Sequence, residues 1–183
     1  MEDISKTYTI QWVGPFPNLK KMREYLNDPN TCHKSLFSFY YFCGNKNKKG
    51  YRNDYLYRYF GIHKKGNGIE QRLNTAHEHY RDFKENENLC IWIGAFSSEN
   101  YQTGQNIEDV ETLFLLSYRK GWFTENEKKV KASPKESICI INLWYKRNEE
   151  RWQRKKKEIS FIDDVLIYDR ESGRILTGNL RRM

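Results

Sequence analysis

The fold is decided by two aromatic stretches, SLFSFYYFC at residues 35–43 and DYLYRYFGI at residues 54–62. Aromatic residues favour strands because their rings pack well on a pleated, half-buried surface. The polar segment GNKNKKG follows the first stretch and has the composition of a loop. We therefore predict that the two stretches pair as a hairpin with a long connection.

The segments that follow this hairpin alternate between helical and strand patterns. Residues 69–83 carry apolar side chains at helical spacing, which predicts one amphipathic helix. LCIWIGAF at 89–96 is a short continuous apolar run and predicts a buried strand. Residues 107–118 predict a second helix with an acidic first turn, and SICIINLWY at 137–145 predicts another strand.

Further elements are predicted on both sides of this region. Residues 7–13 read as a strand that ends at Gly14-Pro15, and residues 19–26 read as a helix. Residues 147–157 are either a charged helix or a linker. Residues 165–176 predict a hairpin that turns at Glu171-Ser172-Gly173.

This order of elements predicts an α+β fold, with a small mixed or antiparallel sheet flanked by helices. We divide the chain into a strand–helix extension (1–34), a core (35–145) and a basic linker with a hairpin (146–183).

The chain has a formal net charge of +8 over 183 residues. Such a surplus favours a polyanionic partner, and nucleic acid is the commonest one. The first residues lack the pattern of a signal peptide, and no apolar run is long enough to span a bilayer. We expect a cytoplasmic protein that binds DNA and does not contact a membrane.

The four cysteines, Cys32, Cys43, Cys90 and Cys139, form no CxxC pair. Three of them lie in apolar, strand-like runs, so we interpret them as reduced core residues. A zinc site built from Cys32, His33 and Cys43 is the less favoured alternative.

Glu111 is unusual within the second predicted helix. It lies four residues after Ile107 and three before Phe114, both on the apolar stripe. A carboxylate beside that stripe faces partly inward, where leaving it without a partner costs free energy. A solvated position at the edge of the stripe, pairing with a nearby arginine or a functional role would each account for it.

The order of motifs resembles the GIY-YIG nuclease domain. Phe39-Tyr40-Tyr41 in the first strand is followed by Tyr59-Phe60-Gly61 in the second. Arg72 follows in QRLNTAHEHY, then Glu111 in IEDVETLFLLSY, then NEKK from Asn126. The most specific part is the glutamate helix that leads to an Asn-x-Lys-Lys loop, a Ser-Pro and a strand ending in Asn-x-Trp.

The resemblance implies a metal-dependent endonuclease that hydrolyses phosphodiester bonds. Glu111 would hold one Mg²⁺ or Mn²⁺, a hard cation that needs few protein ligands. Arg72 would bind the scissile phosphate. Tyr40 would act as general base or position the water, with Tyr59 across from it, and Asn126 would organise the site.

For two of these roles the sequence offers a second residue. The first motif lacks its glycine, so Tyr40 and Tyr41 compete for one role, and we prefer Tyr40. Asn142, at the end of a predicted strand, is the alternative to Asn126. A tyrosine base would also need a cationic neighbour to lower its pKa.

The family's His or Tyr one helical turn after the arginine is displaced in this chain. His77 comes one residue late, so His77, His79 and Tyr80 are all candidates, with His77 placed first. His63 is a further candidate for help in phosphate binding or base activation, ranked below the core set.

Basic residues near the predicted site would contact the nucleic-acid backbone without reading its sequence. They are Lys64, Lys128, Lys129 and Lys131. The basic cluster at 146–157 would add to these contacts.

Two other functions fit the same sequence. One is a nuclease-fold module that binds nucleic acid with weak or no catalysis, which the missing glycine and the displaced histidine favour. The other is a protein-interaction domain with exposed aromatic residues. A homodimer is a further expectation, because a single-site enzyme needs two copies to cut both strands.

Overall fold

The computed structural model describes residues 4–31, 36–45, 57–64, 68–83, 88–118, 126, 132–152 and 159–180. The strands are β1 (Lys6–Phe16), β2 (Phe37–Gly44), β3 (Tyr57–Ile62), β4 (Cys90–Phe96), β5 (Ile138–Tyr145), β6 (Val165–Asp169) and β7 (Arg174–Gly178). The helices are α1 (Leu19–Asn27), α2 (Ile69–Arg72), α3 (Glu78–Arg81) and α4 (Gly104–Ser117), with a 3-10 turn at Glu99–Tyr101.

All described strands form one seven-stranded sheet in the order β3-β2-β4-β1-β5-β6-β7. β1 and β5 run parallel, and the other neighbouring pairs are antiparallel. The α+β class with a mixed sheet is therefore confirmed, although the sheet is larger than predicted. All three predicted segments contribute to it, since 1–34 supplies β1 and 146–183 supplies β6 and β7.

Alternation along the strands gives the sheet two apolar faces. On the first face, Phe60 stacks on Phe114 of α4 with ring centroids 4.6 Å apart. On the second face, Tyr40 and Phe42 pack with the apolar residues of α1, α2 and α3. Because β3 is an edge strand, groups from both faces lie close to one margin of the sheet.

The prediction of one helix over 69–83 is wrong. α2 ends at Arg72 and α3 begins at Glu78. Between them the Asn74 side chain accepts a hydrogen bond from the backbone N–H of Ala76 at 2.9 Å and donates one to the carbonyl of Gln71 at 3.2 Å. These local bonds compete with helical ones, so the chain turns although the apolar spacing continues.

The predicted start of α4 is also wrong. The helix begins at Gly104, where the Thr103 hydroxyl caps it by accepting a hydrogen bond from Asn106 N–H at 3.2 Å. Glu108 and Asp109 therefore lie beyond the first turn. The longest described helix is α4, with 14 residues, and no helix in the described ranges has the length and apolar character needed to cross a bilayer.

Two further boundaries differ from the predictions. β1 continues through Gly14-Pro15 to Phe16, because a shift in its register with β4 accommodates the proline. Residues 147–152 form a turn closed by a bridge between Tyr145 and Arg151, so the helical alternative is wrong for that part, and 153–157 lie outside the described residues. The hairpin of β6 and β7, with its turn at 171–173, is confirmed.

The cysteines agree with the prediction of reduced core residues as far as they are described. Cys43 and Cys139 are buried, Cys90 is half-buried, and all three are free thiols. The alternative zinc site involves Cys32 and His33, which lie outside the described residues.

Candidate active site

β2 and β3 place two tyrosines side by side on the second face of the sheet. Tyr40 lies opposite Gly61 and Phe42 lies opposite Tyr59, so the two tyrosines are diagonal neighbours. Their ring centroids are 5.9 Å apart, and each phenol affects the pKa of the other. Tyr40 is fully buried, whereas Tyr59 is partly exposed.

Gly61 makes room for this arrangement. A Cβ atom at that position would overlap the Tyr40 ring, and its nearest contacts would be Cζ, Cε2 and the hydroxyl oxygen of that residue. A side chain at 61 would therefore displace Tyr40. The glycine of the second motif and the tyrosine of the first thus depend on each other physically.

Arg72 lies at the last residue of α2, with Ile69 of that helix buried beneath it. Its guanidinium lies near enough to the Tyr40 hydroxyl for each group to affect the pKa of the other, while much of its side chain is exposed. The electrostatic interaction with Tyr40 raises the pKa of Arg72, so the cation is retained. An exposed guanidinium is suited to binding an anion from solvent.

His77 is buried at the N-cap of α3. Its Nδ1 atom accepts a hydrogen bond from the backbone N–H of Tyr80 at 3.4 Å, and its Nε2 atom lies 2.9 Å from the Tyr40 hydroxyl. Burial, followed by the charges of Arg72 and His79, lowers the pKa of His77 to about 4. The ring is therefore neutral at pH 7. Because Nδ1 accepts, we assign the proton to Nε2, which donates to the Tyr40 oxygen.

The Tyr40 hydroxyl thus accepts a hydrogen bond from His77, and Arg72 and Tyr59 lie near enough to affect its pKa. Burial first, and then Tyr59, raises the pKa of Tyr40 far above its ordinary value, and the opposing effect of Arg72 is smaller. Tyr40 therefore stays protonated at neutral pH. Of its two predicted roles, the structure favours positioning over that of a general base acting alone.

Glu111 approaches Tyr59 from the other side of β3. It is half-buried on α4, which packs on the first face through Phe114 and Phe60. Burial raises the pKa of Tyr59, interaction with Tyr40 and the charge of Arg72 lower it, and Glu111 and Glu78 raise it. The Glu111 carboxylate is therefore close enough for its charge to act on the Tyr59 hydroxyl.

Asn126 pairs with the backbone of β3. Its Nδ2 donates to the Phe60 carbonyl at 2.7 Å, and its Oδ1 accepts from the Phe60 N–H at 2.9 Å. One side chain thereby supplies the two hydrogen bonds that a neighbouring strand would provide at this edge of the sheet. Asn126 holds the strand that carries Tyr59.

Asn142, the second asparagine considered for this role, lies in the core instead. Its Oδ1 accepts from the Trp12 indole at 2.9 Å, and its Nδ2 donates to the Asp163 carbonyl at 3.0 Å. Its amide is therefore engaged between β1 and the segment before β6, and three strands separate its own strand, β5, from β3.

Tyr41, Tyr80 and His79, the remaining candidates from the motifs, lie in three different environments. Tyr41 faces the opposite side of the sheet, fully buried, with its ring 6.1 Å from that of Phe161. The Tyr80 hydroxyl accepts a hydrogen bond from Leu19 N–H at 3.3 Å. His79 lies at the site and stacks on the Tyr59 ring.

The predicted nucleic-acid contacts are only partly described. Lys64 forms an exposed ion pair with Glu108 of α4, and His63 beside it is buried. The three remaining lysines, Lys128, Lys129 and Lys131, lie outside the described residues.

A polar cleft opens beside the site at the turn between α2 and α3. Its volume is about 350 Å³, and it is lined by Gln71, Arg72, Asn74, Ala76, His77, Glu78 and His79. A larger cleft of about 730 Å³ lies between α1 and the turn at 146–152. Lys146 and Arg147 of the basic cluster line it, but none of the predicted catalytic residues does. The smaller cleft is therefore the one that gives an anion access to Arg72.

The donor set suits a hard cation that keeps most of its water. Within the described ranges, no three His, Cys, Asp or Glu side chains converge, so a site enclosed by protein ligands is not formed there. Mg²⁺ and Mn²⁺ accept one carboxylate with water and substrate oxygens as remaining ligands. Glu111 fits that requirement.

Comparison with known proteins found no family model that matches the chain, no similar curated protein and no similar solved structure. The geometry of the site is therefore what supports a function.

Proposed function

We propose that the protein is a metal-dependent endonuclease that hydrolyses DNA phosphodiester bonds through a GIY-YIG-type site with one metal ion. One observation carries the proposal. Tyr40, Tyr59, Arg72 and His77, which come from separate segments, form one group linked by a hydrogen bond, ring packing and electrostatic interaction, and the charge of Glu111 acts on it. These residue types together can bind a phosphate, orient a water and hold a cation.

Arg72 would bind the scissile phosphate. Its guanidinium lies near Tyr40, and the exposed side chain lines the cleft. A planar cation placed in this way can donate two parallel hydrogen bonds to phosphate oxygens and stabilise the charge that develops there.

The two tyrosines and His77 would orient the attacking water. Tyr40 has no exposed surface, so contact with water would fall to the partly exposed Tyr59, whose ring packs beside that of Tyr40. Neither tyrosine would take a proton from that water at neutral pH, because the pKa of each is raised.

A divalent cation would be held by Glu111, and when bound it supplies Lewis-acid stabilisation of the leaving oxygen. Glu111 is half-buried, and its charge acts on Tyr59. A single site cuts one strand at a time, so cleavage of both strands would involve two copies of the chain.

A second candidate is a nucleic-acid-binding module of the same fold without useful turnover. The raised pKa of Tyr40 favours it, because this phenol does not become a base at neutral pH. The two candidates make different predictions for the same assay.

The test is nicking of supercoiled plasmid with Mg²⁺ or Mn²⁺, comparing the unaltered chain with Glu111→Gln. The matched control is Glu136→Gln, since Glu136 is paired with Lys6 near the start of β5, with three strands between β5 and β3. We expect metal-dependent nicking that Glu111→Gln lowers by about 10²-fold or more, with the control unchanged. Equal residual nicking in all three proteins would reject the enzyme and leave the binding module.

A further inference from the structure

We propose that His79 is a positioning residue of this site, which holds the Tyr59 ring in place and, in its protonated form, adds a second positive group beside the bound phosphate. The inference rests on the proposed function for its catalytic consequence. The positioning itself is a property of the folded chain and is measured separately below.

The geometry is a close ring stack between two elements. His79 of α3 lies on Tyr59 of β3 with ring centroids 3.9 Å apart and an interplanar angle of 22°. The other rings around Tyr59 are more distant and more tilted: Tyr40 at 5.9 Å, His77 at 6.0 Å and Phe42 at 6.1 Å. His79 is therefore the side chain that most directly restricts the tilt of the phenol among those described.

Restricting the tilt of the Tyr59 ring matters because, under the proposed function, the Tyr59 hydroxyl orients the attacking water. Tyr40 lies beside the Tyr59 ring, but that tilted contact leaves the ring free to turn about its Cβ–Cγ bond. A flat contact on the ring face removes that freedom. Together, the packing against Tyr40 and the stack of His79 determine where the Tyr59 hydroxyl points.

The two histidines of the site have different environments. Histidine is the side chain whose charge ordinarily changes between about pH 5 and 8. His77 leaves that range because burial lowers its pKa to about 4. His79 is half-exposed and lines the cleft, so water reaches the imidazole and can solvate its charged form.

Arg72 on α2 and Glu78 on α3 line the same cleft as His79, and Glu111 on α4 acts on the stacked Tyr59. The arginine opposes a positive charge on His79, whereas a nearby carboxylate favours one. Tyr59 presents a ring face on which a cation is stabilised. When a phosphate binds to Arg72, the local charge becomes less positive, and protonation of His79 becomes more favourable.

The test compares His79→Phe, which keeps a flat ring without titration, with His79→Ala, which removes both properties. The readout is the single-turnover rate at saturating DNA and Mg²⁺ from pH 5.5 to 8.5. We expect the ratio of unaltered to His79→Phe rates to be about threefold at pH 5.5 and to approach one at pH 8.5. His79→Ala should be slower than His79→Phe at every pH.

A measurement without turnover follows the positioning itself. In protein labelled with ¹³C at tyrosine rings, the Tyr59 signal is assigned by its absence in Tyr59→Phe. We expect that signal to shift as the histidine titrates in the unaltered chain, and to lose this pH dependence in His79→Phe.

The two readouts separate the two proposals. A Tyr59 signal that titrates in a chain without nuclease activity supports the positioning and rejects the proposed function. The role of His79 is overturned if the chain is active, the ratio of unaltered to His79→Phe rates does not change with pH, and the Tyr59 signal is the same in these two proteins at every pH.

Discussion

Tyr40 shows how burial can outweigh a neighbouring charge. Arg72 lowers the pKa of this phenol, yet the loss of water around the ring raises it by more. The fully buried hydroxyl therefore keeps its proton and stays hydrogen-bonded to His77. Under the proposed function, contact with water and phosphate would therefore fall to Tyr59, which is partly exposed, and to Arg72, which is exposed.

Arg72→Ala should lower the rate of DNA cleavage far more than it weakens DNA binding. The guanidinium is one cation among many on a basic chain, but its charge acts on Tyr40 within the site. We expect a fall of about 10²-fold or more in the rate at saturation, with less than about a threefold change in Kd. Filter binding and single-turnover cleavage measure the two quantities.

The matched control for that experiment is Arg81→Ala, which removes an exposed arginine from α3. It should change both quantities little. If Arg72→Ala instead abolishes binding and leaves the saturated rate intact, Arg72 serves only to dock the nucleic acid.

The pairing of β2 and β3 depends on the small size of Gly61, which can be tested by substitution. Gly61→Ala places a methyl group where the Tyr40 ring lies, so the ring or the strand must shift. We expect a loss of about 1–3 kcal/mol in the free energy of unfolding, together with a loss of activity. Gly104→Ala, where the added Cβ has open space around it, should not destabilise the protein. Urea denaturation of both variants provides the comparison.

The register of β2 and β4 makes a third prediction. Cys43 lies directly opposite Cys90, and both side chains belong to the core on the first face. Opposed residues in antiparallel strands have Cα atoms about 4.5–5.5 Å apart, which is within the range that a disulfide spans.

Oxidation of the folded protein with copper–phenanthroline should therefore join Cys43 to Cys90, with loss of two hydrogen atoms in the joined peptides. Peptide mapping under non-reducing conditions identifies the product. Cys139 provides an internal control, since it lies opposite Ile167 on β6. A bond from Cys43 to Cys139 in place of Cys90 would show that the strands pair in another order.

Elements with a strong local pattern could be predicted from the sequence. The aromatic runs of β2 and β3 and the apolar stripe of α4 are such patterns, and each element is present close to its predicted bounds. The break after Arg72 could not be predicted because apolar spacing continues through it, whereas the turn depends on the side chain of Asn74. The central place of β1 could not be predicted because a strand's own sequence does not identify its neighbours.

The candidate site could be predicted from the sequence only through the order of its motifs. The structure brings together four residues of these motifs: Tyr40, Tyr59, Arg72 and His77. The order of motifs could not show that Tyr40 is fully buried or that Asn126 bonds to the backbone of β3. Those facts depend on distances between segments that are far apart along the chain.

For the molecule as a whole, His77 makes stability depend on pH. Its pKa is about 4 in the folded chain and near 6.5 when unfolded, so the unfolded chain binds the proton more readily. Its contribution is fully present above about pH 6.5 and is lost as the pH falls towards 4. We expect the His77 titration to lower the free energy of unfolding by about 1–2 kcal/mol as the pH falls. The loss is limited because part of the ring is solvated.

Denaturation at pH 7.5 and pH 5 in the unaltered chain and in His77→Gln measures this effect. The variant does not titrate there, so its dependence on pH should be weaker by that amount. Equal dependence in the two proteins would show that His77 is not held in its neutral form.

The central position of β1 affects how the chain reaches its native state during synthesis. Its apolar residues Ile10 and Trp12 pair with β4 on one side and β5 on the other, and β5 leaves the ribosome much later. Until then this segment of the nascent chain has no native partner on at least one side. Closure over so long a separation is slow, and exposed apolar strands aggregate. Chaperone binding to the emerging chain should therefore raise the yield of folded protein in cells.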